Sequence, residues 1–440
     1  MTLPPLGWFG IVRLGLVQTA LGAVVVLTTS ALNRVMVVEY ALPATLPGVL
    51  VGLHYAVQML RPCLGHGSDI GGRRTPWILG GMAVLCAGGV LAAFATGLMG
   101  SALVPAVALA VLAFLLVGVG VGASGTALLV LLAARVAPAR KPAAASLVWI
   151  MMIAGFVVTT AVAGRQLDPY SPERLVGVTA VVAIIAFLLA CAGVAGIEGP
   201  TAARKATHAA STLPFRDAIA QVWSEPEARH FTLFVFVAML AYSAQDLVLE
   251  PFAGSVFGMT LGETTSLSSL QHGGVLAGMI IIAVVGSVSG GGIAARRAWI
   301  LGGCSLAALL LFALAGAGMS PGAFPLRTAY FVLGLANGVF AAAAIASMMQ
   351  LVSRGAPGRE GVRMGMFGAA QAIAFGLGGL TGTILLDAGR FLTGSTLGGY
   401  AIVFLGDAAL FMAAAIMAQR IGRVTEEATH GFGPTAPAAR

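Results

Sequence analysis

The sequence predicts an all-α membrane protein: twelve transmembrane helices in two six-helix bundles, with both termini cytoplasmic. Three observations carry this expectation. The chain has 440 residues, of which 58% are hydrophobic and only 9% charged, against about 25% charged in a soluble domain. Its apolar residues collect into twelve runs long enough to cross a bilayer, which takes roughly 20 residues. A glycine- and arginine-rich pattern in one short polar gap also returns, eroded, half a chain later.

The runs are 12–38, 44–64, 76–99, 103–134, 145–165, 175–197, 230–252, 265–288, 297–318, 325–352, 363–387 and 398–420. The first is too long for a signal-peptide core and ends in Asn33-Arg34 without a small-residue cleavage site, so it reads as the first spanning helix. The fourth exceeds what a bilayer requires and has room to tilt or extend past it. Sixty glycines suit helices that approach closely in lipid. The longest polar break, 198–229, contains Glu198, Arg204, Lys205, His208, Arg216, Asp217, Glu225 and Glu227. The expected organisation is therefore a first bundle over 1–197, a cytoplasmic linker over 198–229 and a second bundle over 230–421. A disordered tail rich in Ala, Pro and Gly follows over 422–440.

Loop charge sets orientation. Nineteen of the 24 Lys and Arg residues fall on the side that carries both termini and five on the other, which places the termini in the cytoplasm. The net charge of +8 reflects this bias. No basic block with interleaved aromatics exists, so the partner is the lipid membrane and not nucleic acid. Cys63, Cys86, Cys191 and Cys304 are scattered singly, which argues against a metal or redox site. The acidic residues are dispersed where membrane prenyl-transfer chemistry needs clustered aspartates for magnesium, and no catalytic constellation is expected.

Two sets of residues stand out. At the outer end of the first helix lie Asn33, Arg34 and Glu39, with a partial echo at Gln245, Asp246 and Glu250 in the seventh. Charges this near the bilayer need partners or water. Arg34 and Glu39 are five positions apart and do not stack ideally on one α-helical face, so pairing of Arg34 with Asp246 or Glu250 is expected; the alternative is interfacial anchoring. The second set is His54 and His272, in the equivalent second and eighth helices. A neutral imidazole in an apolar helix is a natural axial ligand for a metal centre, including a chlorin magnesium. Gly273 and Gly274 leave room for a flat macrocycle. The alternative is a histidine hydrogen-bonded to a neighbouring helix. Gly118, Gly120, Gly122 and Gly125 in the fourth helix have no preceding strand or Lys-Ser/Thr pair and read as packing positions.

Gly65, Asp69, Gly72, Arg73 and Arg74 fall where the major facilitator superfamily places the G-x-x-x-D-x-x-G-R-R signature of its loop between helices 2 and 3. The eroded copy begins 221 residues later at Gly286 and ends in Arg296-Arg297, with Gly290 in place of the acid. The resemblance implies a duplicated facilitator fold, with this loop at the cytoplasmic edge. The arginine in helix 4 and the Gly-Pro pair in helix 5 of many proton-coupled facilitators are missing, and the midplane is nearly free of carboxylates, so a large hydrophobic ligand is expected.

A narrower resemblance is carried by three segments. Leu32-Asn33-Arg34-Val35-Met36-Val37-Val38-Glu39 resembles the L-N-R-V-M-x-V-E-L signature of the bacteriochlorophyll delivery (PucC/LhaA-type) family, with Tyr40 replacing the usual leucine. Ala241 to Phe252 is similar to that family's A-Y-S-x-Q-D-x-x-L-E-P-[FY] segment, and Gly258 to Thr265 to its G-M-x-x-G-x-T-T. The likeness runs from about Arg13 to Arg423. The N-terminal stretch and His54 to Pro62 look most like the branch named as a chain of bacteriochlorophyll synthase. The resemblance implies the inner or intracytoplasmic (chromatophore) membrane of a photosynthetic bacterium and a bound bacteriochlorophyll or precursor. It implies bacteriochlorophyll synthase and light-harvesting or reaction-centre polypeptides as partners. A small-molecule facilitator transporter and an accessory subunit of the synthase remain alternatives.

The topology has a direct check. Alkaline phosphatase fused after Arg440 is expected to be inactive and the same reporter inserted at Gly394 active; the reverse pattern would invert the orientation.

Overall fold

The protein is seen in a computed structural model that describes residues 5–61, 73–137, 140–198, 223–288, 293–354 and 360–419. The described residues form helices and no strands. In chain order these are α1 (Trp8–Glu39), α2 (Thr45–Gln58), α3 (Thr75–Leu98), α4 (Leu103–Arg135), α5 (Lys141–Gln166), α6 (Pro172–Val194), α7 (Pro226–Phe257), α8 (Leu261–Val288), α9 (Ile293–Ala317), α10 (Leu326–Arg354), α11 (Glu360–Thr393) and α12 (Thr396–Ala418). Eleven are long and apolar enough to cross a membrane; α2 is described over only 14 residues. The twelve expected spans are thus matched by twelve helices. The loop residues Gly65, Asp69 and Gly72, the copy at 289–292, most of the 198–229 linker and the tail lie outside the described residues.

The first helix changes character near its end for a local reason. Thr28 and Thr29 both donate their hydroxyls to the Val25 carbonyl, at 2.7 and 3.2 Å, a back-bonding pattern that bends helices. Ser30 then leaves the helical region. The chain resumes as Ala31–Arg34 and widens into one π turn over Val35–Glu39.

Each half has a large apolar cluster of its own, and smaller ones reach across: Leu32, Met36 and Phe114 with Leu247 and Leu261, and Ile153 with Val275 and Met279. In the first half, Leu14, Val17, Leu85, Val117 and Ala186 join α1, α3, α4 and α6. In the second, Phe252, Tyr330, Phe340, Phe404 and Phe411 join α7, α10 and α12. The glycines of α4 pack as expected: a Cβ on Gly120 would stand 2.5 Å from the Leu85 nitrogen, and one on Gly118 2.7 Å from the His54 carbonyl. The halves meet where α5 packs on α8 and α2 on α11.

On the side of the termini, the segment after α6 is a hub. Arg13 donates to the carbonyls of Ala192 and Ala195, and Arg135 to that of Ile197. Glu198 accepts from the backbone N–H groups of Arg74 and Thr75, at 2.7 and 2.8 Å. Since α3 has no side-chain cap of its own, Glu198 serves as one from 123 positions away. Burial raises the Glu198 carboxyl; the hydrogen bonds from Thr75 and Arg74, with the Arg73 charge, outweigh it and hold the group below the usual range. At this edge Arg74 contributes its backbone N–H at the start of α3, and Arg73 its charge beside Glu198.

A helix cap of this kind contributes on the order of 1 kcal/mol. A carboxyl with a lowered folded value stabilises above its unfolded value and stops doing so as pH falls through the folded one. Glu198→Ala is expected to melt lower at neutral pH, with the gap to the parent chain closing on acidification below the glutamate range, as followed by thermal unfolding in detergent.

Candidate functional site

The polar end of α1 is tied to the second half at the rim away from the termini, the distal rim. Ser30 Oγ donates to Glu250 Oε1 of α7. Asn33 Nδ2 donates to the Leu247 carbonyl at 2.6 Å, and Arg34 Nη2 to the Met259 carbonyl at 2.7 Å. Asn33, Arg34 and Glu250 are 1%, 2% and 3% exposed, so the amide and both charged groups need partners in place of water. Gly254 makes the room: a Cβ there would stand 3.1 Å from Arg34 Nε.

The counter-ion of Arg34 is Glu39, on its own helix, and not Asp246 or Glu250 as the sequence suggested. The reason is the π turn. A helix with i→i+5 bonding carries residue 39 back over residue 34, a stacking that the α-helical period denies. Gln245 also leaves the expected network. It is fully buried, with both amide atoms unpartnered. Ser30 and Ser268, whose hydroxyls lie 3.4 Å apart, belong to the rim and gave no sequence signal beyond being polar in an apolar run.

Toward the middle of the molecule, side chains from both halves form an aromatic and polar cluster. Tyr242, one turn before Asp246 on α7, has its ring 5.8 Å from Phe375 of α11, which lies 5.5 Å from Tyr55 of α2. His272 of α8 meets Phe156 of α5 edge-on at 5.1 Å. Asp246 is half-buried, makes no hydrogen bond or ion pair among the described residues, and sits within electrostatic reach of His272, Tyr55 and Tyr242. Sequence reading passed over Tyr55, Phe156 and Phe375, since single aromatics in apolar helices look like core. It also passed over Asp407, a carboxylate 3% exposed within α12 whose Oδ2 has no partner.

The two candidate histidines have different fates. At His272, Nδ1 lies 2.8 Å from the Ser268 carbonyl. A carbonyl only accepts, so Nδ1 carries the proton, and in the neutral ring the lone pair is then on Nε2. That is the tautomer a ligating imidazole needs, oriented from behind by a backbone carbonyl. A Cβ on Gly273 would meet nothing within 4 Å, whereas one on Gly274 would stand 2.8 Å from the Leu335 nitrogen of α10. The expected open space thus exists at Gly273 alone. His54 does not fit the expected role. Arg61 donates to Gln58 Oε1, which turns the Gln58 amide nitrogen toward His54 Nε2 at 2.8 Å. The lone pair of His54 is consumed, and its Nδ1 is buried without a partner. Among the described residues no group of three or more His, Cys, Asp or Glu side chains forms a metal site.

A family model described as PUCC protein matches residues 31–426. A "Bacteriochlorophyll synthase 44.5 kDa chain" of Rhodobacter capsulatus is 50% identical over 417 residues, covering 94% of this chain and 95% of that one. A "Protein PucC" of the same organism is 30% identical over 428 residues, covering 92% and 90%. Among solved structures, a bacterial homolog of the human lysosomal transporter Spinster superposes with a TM-score of 0.70 at 13% identity, over 98% of both chains. The nucleoside transporter NupG gives 0.68 at 14%, over 94% of this chain and 99% of its own. At such identity the likeness shows the fold alone, which is the major facilitator fold.

The rim network yields a pairwise test. In double-mutant cycles on thermal stability, Arg34→Ala and Glu39→Ala are expected to couple by about 0.5–3 kcal/mol, while Arg34→Ala and Asp246→Ala add to within about 0.5 kcal/mol.

Proposed function

Because this chain belongs to the PUCC protein family, we propose that it binds bacteriochlorophyll or a late precursor between its two halves and delivers it to light-harvesting or reaction-centre apoproteins. The observation that carries this reading is the likeness, over nearly the whole chain, to a protein named as a bacteriochlorophyll synthase chain. The His272 site adds a chemical reason. A bound pigment would supply a magnesium that takes a nitrogen ligand, and Nε2 of His272 is the nitrogen that would hold it, with the Ser268 carbonyl keeping the ring in orientation. Phe156, Tyr55, Tyr242 and Phe375 offer ring faces and edges to a flat conjugated ligand. Asp246, Tyr55 and Tyr242 supply polar contact for its carbonyl and ester groups, directly or through water.

This role needs no catalysis by the chain. Asp246, Glu250 and Asp407 are not arranged as a diphosphate–magnesium cluster: Glu250 accepts from Ser30, and the other two lie on different helices. The setting proposed is the inner or intracytoplasmic membrane of a photosynthetic bacterium, with termini in the cytoplasm, where the synthase would hand over its product. A second reading, accessory subunit of the synthase, is favoured by the name of the 50%-identical relative. It predicts pigment esterification that depends on this chain.

The test is the absorption spectrum of gently purified protein. A far-red chlorin band is expected, reduced at least tenfold in His272→Ala and retained in His54→Gln. A clean preparation with no such band and no bound synthase or antenna subunit overturns delivery. Reconstituted esterification that requires the chain would move the assignment to the synthase.

A further inference from the structure

Two helix starts on the distal rim are capped from across the boundary between the halves. The backbone N–H groups of Ala44 and Thr45 open α2, in the first half. They donate to Asp387 of α11, in the second half, at 3.0 and 2.7 Å, and the Thr45 hydroxyl adds 2.6 Å. At the start of α8, in the second half, the Gly262 N–H donates at 2.8 Å to Asp168, which follows α5 in the first half, and the Thr260 hydroxyl donates to the same carboxylate.

The two arrangements are copies related by the duplication. Asp168 and Asp387 are 219 positions apart and the capped residues Thr45 and Gly262 are 217 apart, close to the 221 of the loop signature. In each case the acid at the distal end of a fifth helix, α5 or its equivalent α11, caps a second helix, α8 or α2, of the opposite half. Each clasp also sits beside a close helix crossing. A Cβ on Gly164 would stand 2.8 Å from the Gly262 carbonyl, and one on Gly48 2.9 Å from Thr383 Cβ. The duplication offset thus pairs the acids, the capped amides and the crossings together.

The clasps differ in their local support. No local side chain caps α2, so its first amides depend on the other half. Arg390 holds Asp387 at 3.8 Å and is itself held by the Tyr400 hydroxyl at 3.1 Å. By contrast, α8 carries a local capping box: Thr260 N–H donates to Glu263 Oε2 at 2.9 Å and Glu263 N–H to Thr260 Oγ1 at 3.2 Å. Among the described residues the hydrogen bonds between halves gather toward the distal side: these two clasps, the rim contacts of Ser30, Asn33 and Arg34, and, nearer the middle, Ser269 to the Val157 carbonyl at 2.9 Å.

We propose that Asp168 and Asp387 form a two-point latch that closes the distal rim and must release at both points together for that rim to open. Both halves are rigid helical bundles, so parting them at one clasp rotates the other out of hydrogen-bond range. Separated carboxylates return to water, and the bared amides of α2 and α8 go with them. The latch does not depend on which ligand lies between the halves.

Spin labels at Ser101→Cys and Gly322→Cys measure the rim. These exposed positions lie in the equivalent α3–α4 and α9–α10 loops, 221 residues apart, and Gly322 has open space at its Cβ. In a background with the native cysteines replaced by serine, the parent chain is expected to give one short distance. Asp168→Ala and Asp387→Ala should each add a longer population, and the double variant should add no more than the stronger single one. Hydrogen exchange of each single variant provides the second measurement and does not depend on the double variant folding. Faster exchange at both the 44–46 and the 260–263 amides is the expected result. Exchange that rises only at the severed clasp, or an unchanged rim distance in a folded double variant, overturns the latch.

Discussion

Every helix start presents N–H groups that its own backbone cannot satisfy, and where that start is packed against a neighbouring helix the acceptor has to come from the protein. This constraint organises the protein. Neither α2 nor α3 has a cap among its neighbours in sequence, and the acceptors come from Asp387 and Glu198, hundreds or scores of residues away. The start of α8 adds Asp168 to its own capping box. In a chain with few carboxylates, three are thus spent on tying helix starts to distant elements. One joins α3 to the segment after α6, and two join the halves.

The duplicated scaffold has unequal contents. His54 and His272 occupy matching helices, yet only His272 keeps a lone pair for a ligand. The difference is set one turn on. Residue 58 is a glutamine that reaches back to His54, while the matching residue after His272 is Leu276, which has nothing to donate. Arg34 and the rim are likewise one-sided, because the π turn that pairs Arg34 with Glu39 occurs at the end of α1, and α7 continues as α-helix to Phe257. A protein of the facilitator fold has in this way become asymmetric where its halves meet, with the aromatic and imidazole groups gathered beside the Asp246 carboxylate, which makes no hydrogen bond among the described residues.

Much of the architecture was legible in order. Hydropathy located twelve spans, and the glycines of the fourth helix packed as such glycines do. The rim was legible as a place, since Asn33, Arg34 and Glu250 are costly in an apolar helix. Its wiring was not. A five-residue spacing argues against an ion pair under α-helical geometry, and only the widened turn after Thr28-Thr29-Ser30 reverses that. Asp168 and Asp387 offered no signal at all, because an acid near a helix end is ordinary until its partner is known.

The sequence by itself determined the fold class and the number of spans, because these rest on composition and on apolar runs that survive in any one segment; the duplication and the family it showed through the likeness of short motifs. Tertiary structure alone decided which histidine is free, which acid answers Arg34, and which carboxylates hold the halves together. Those outcomes depend on hydrogen-bond partners brought within about 3 Å by helices far apart in the chain, a proximity that no local pattern encodes.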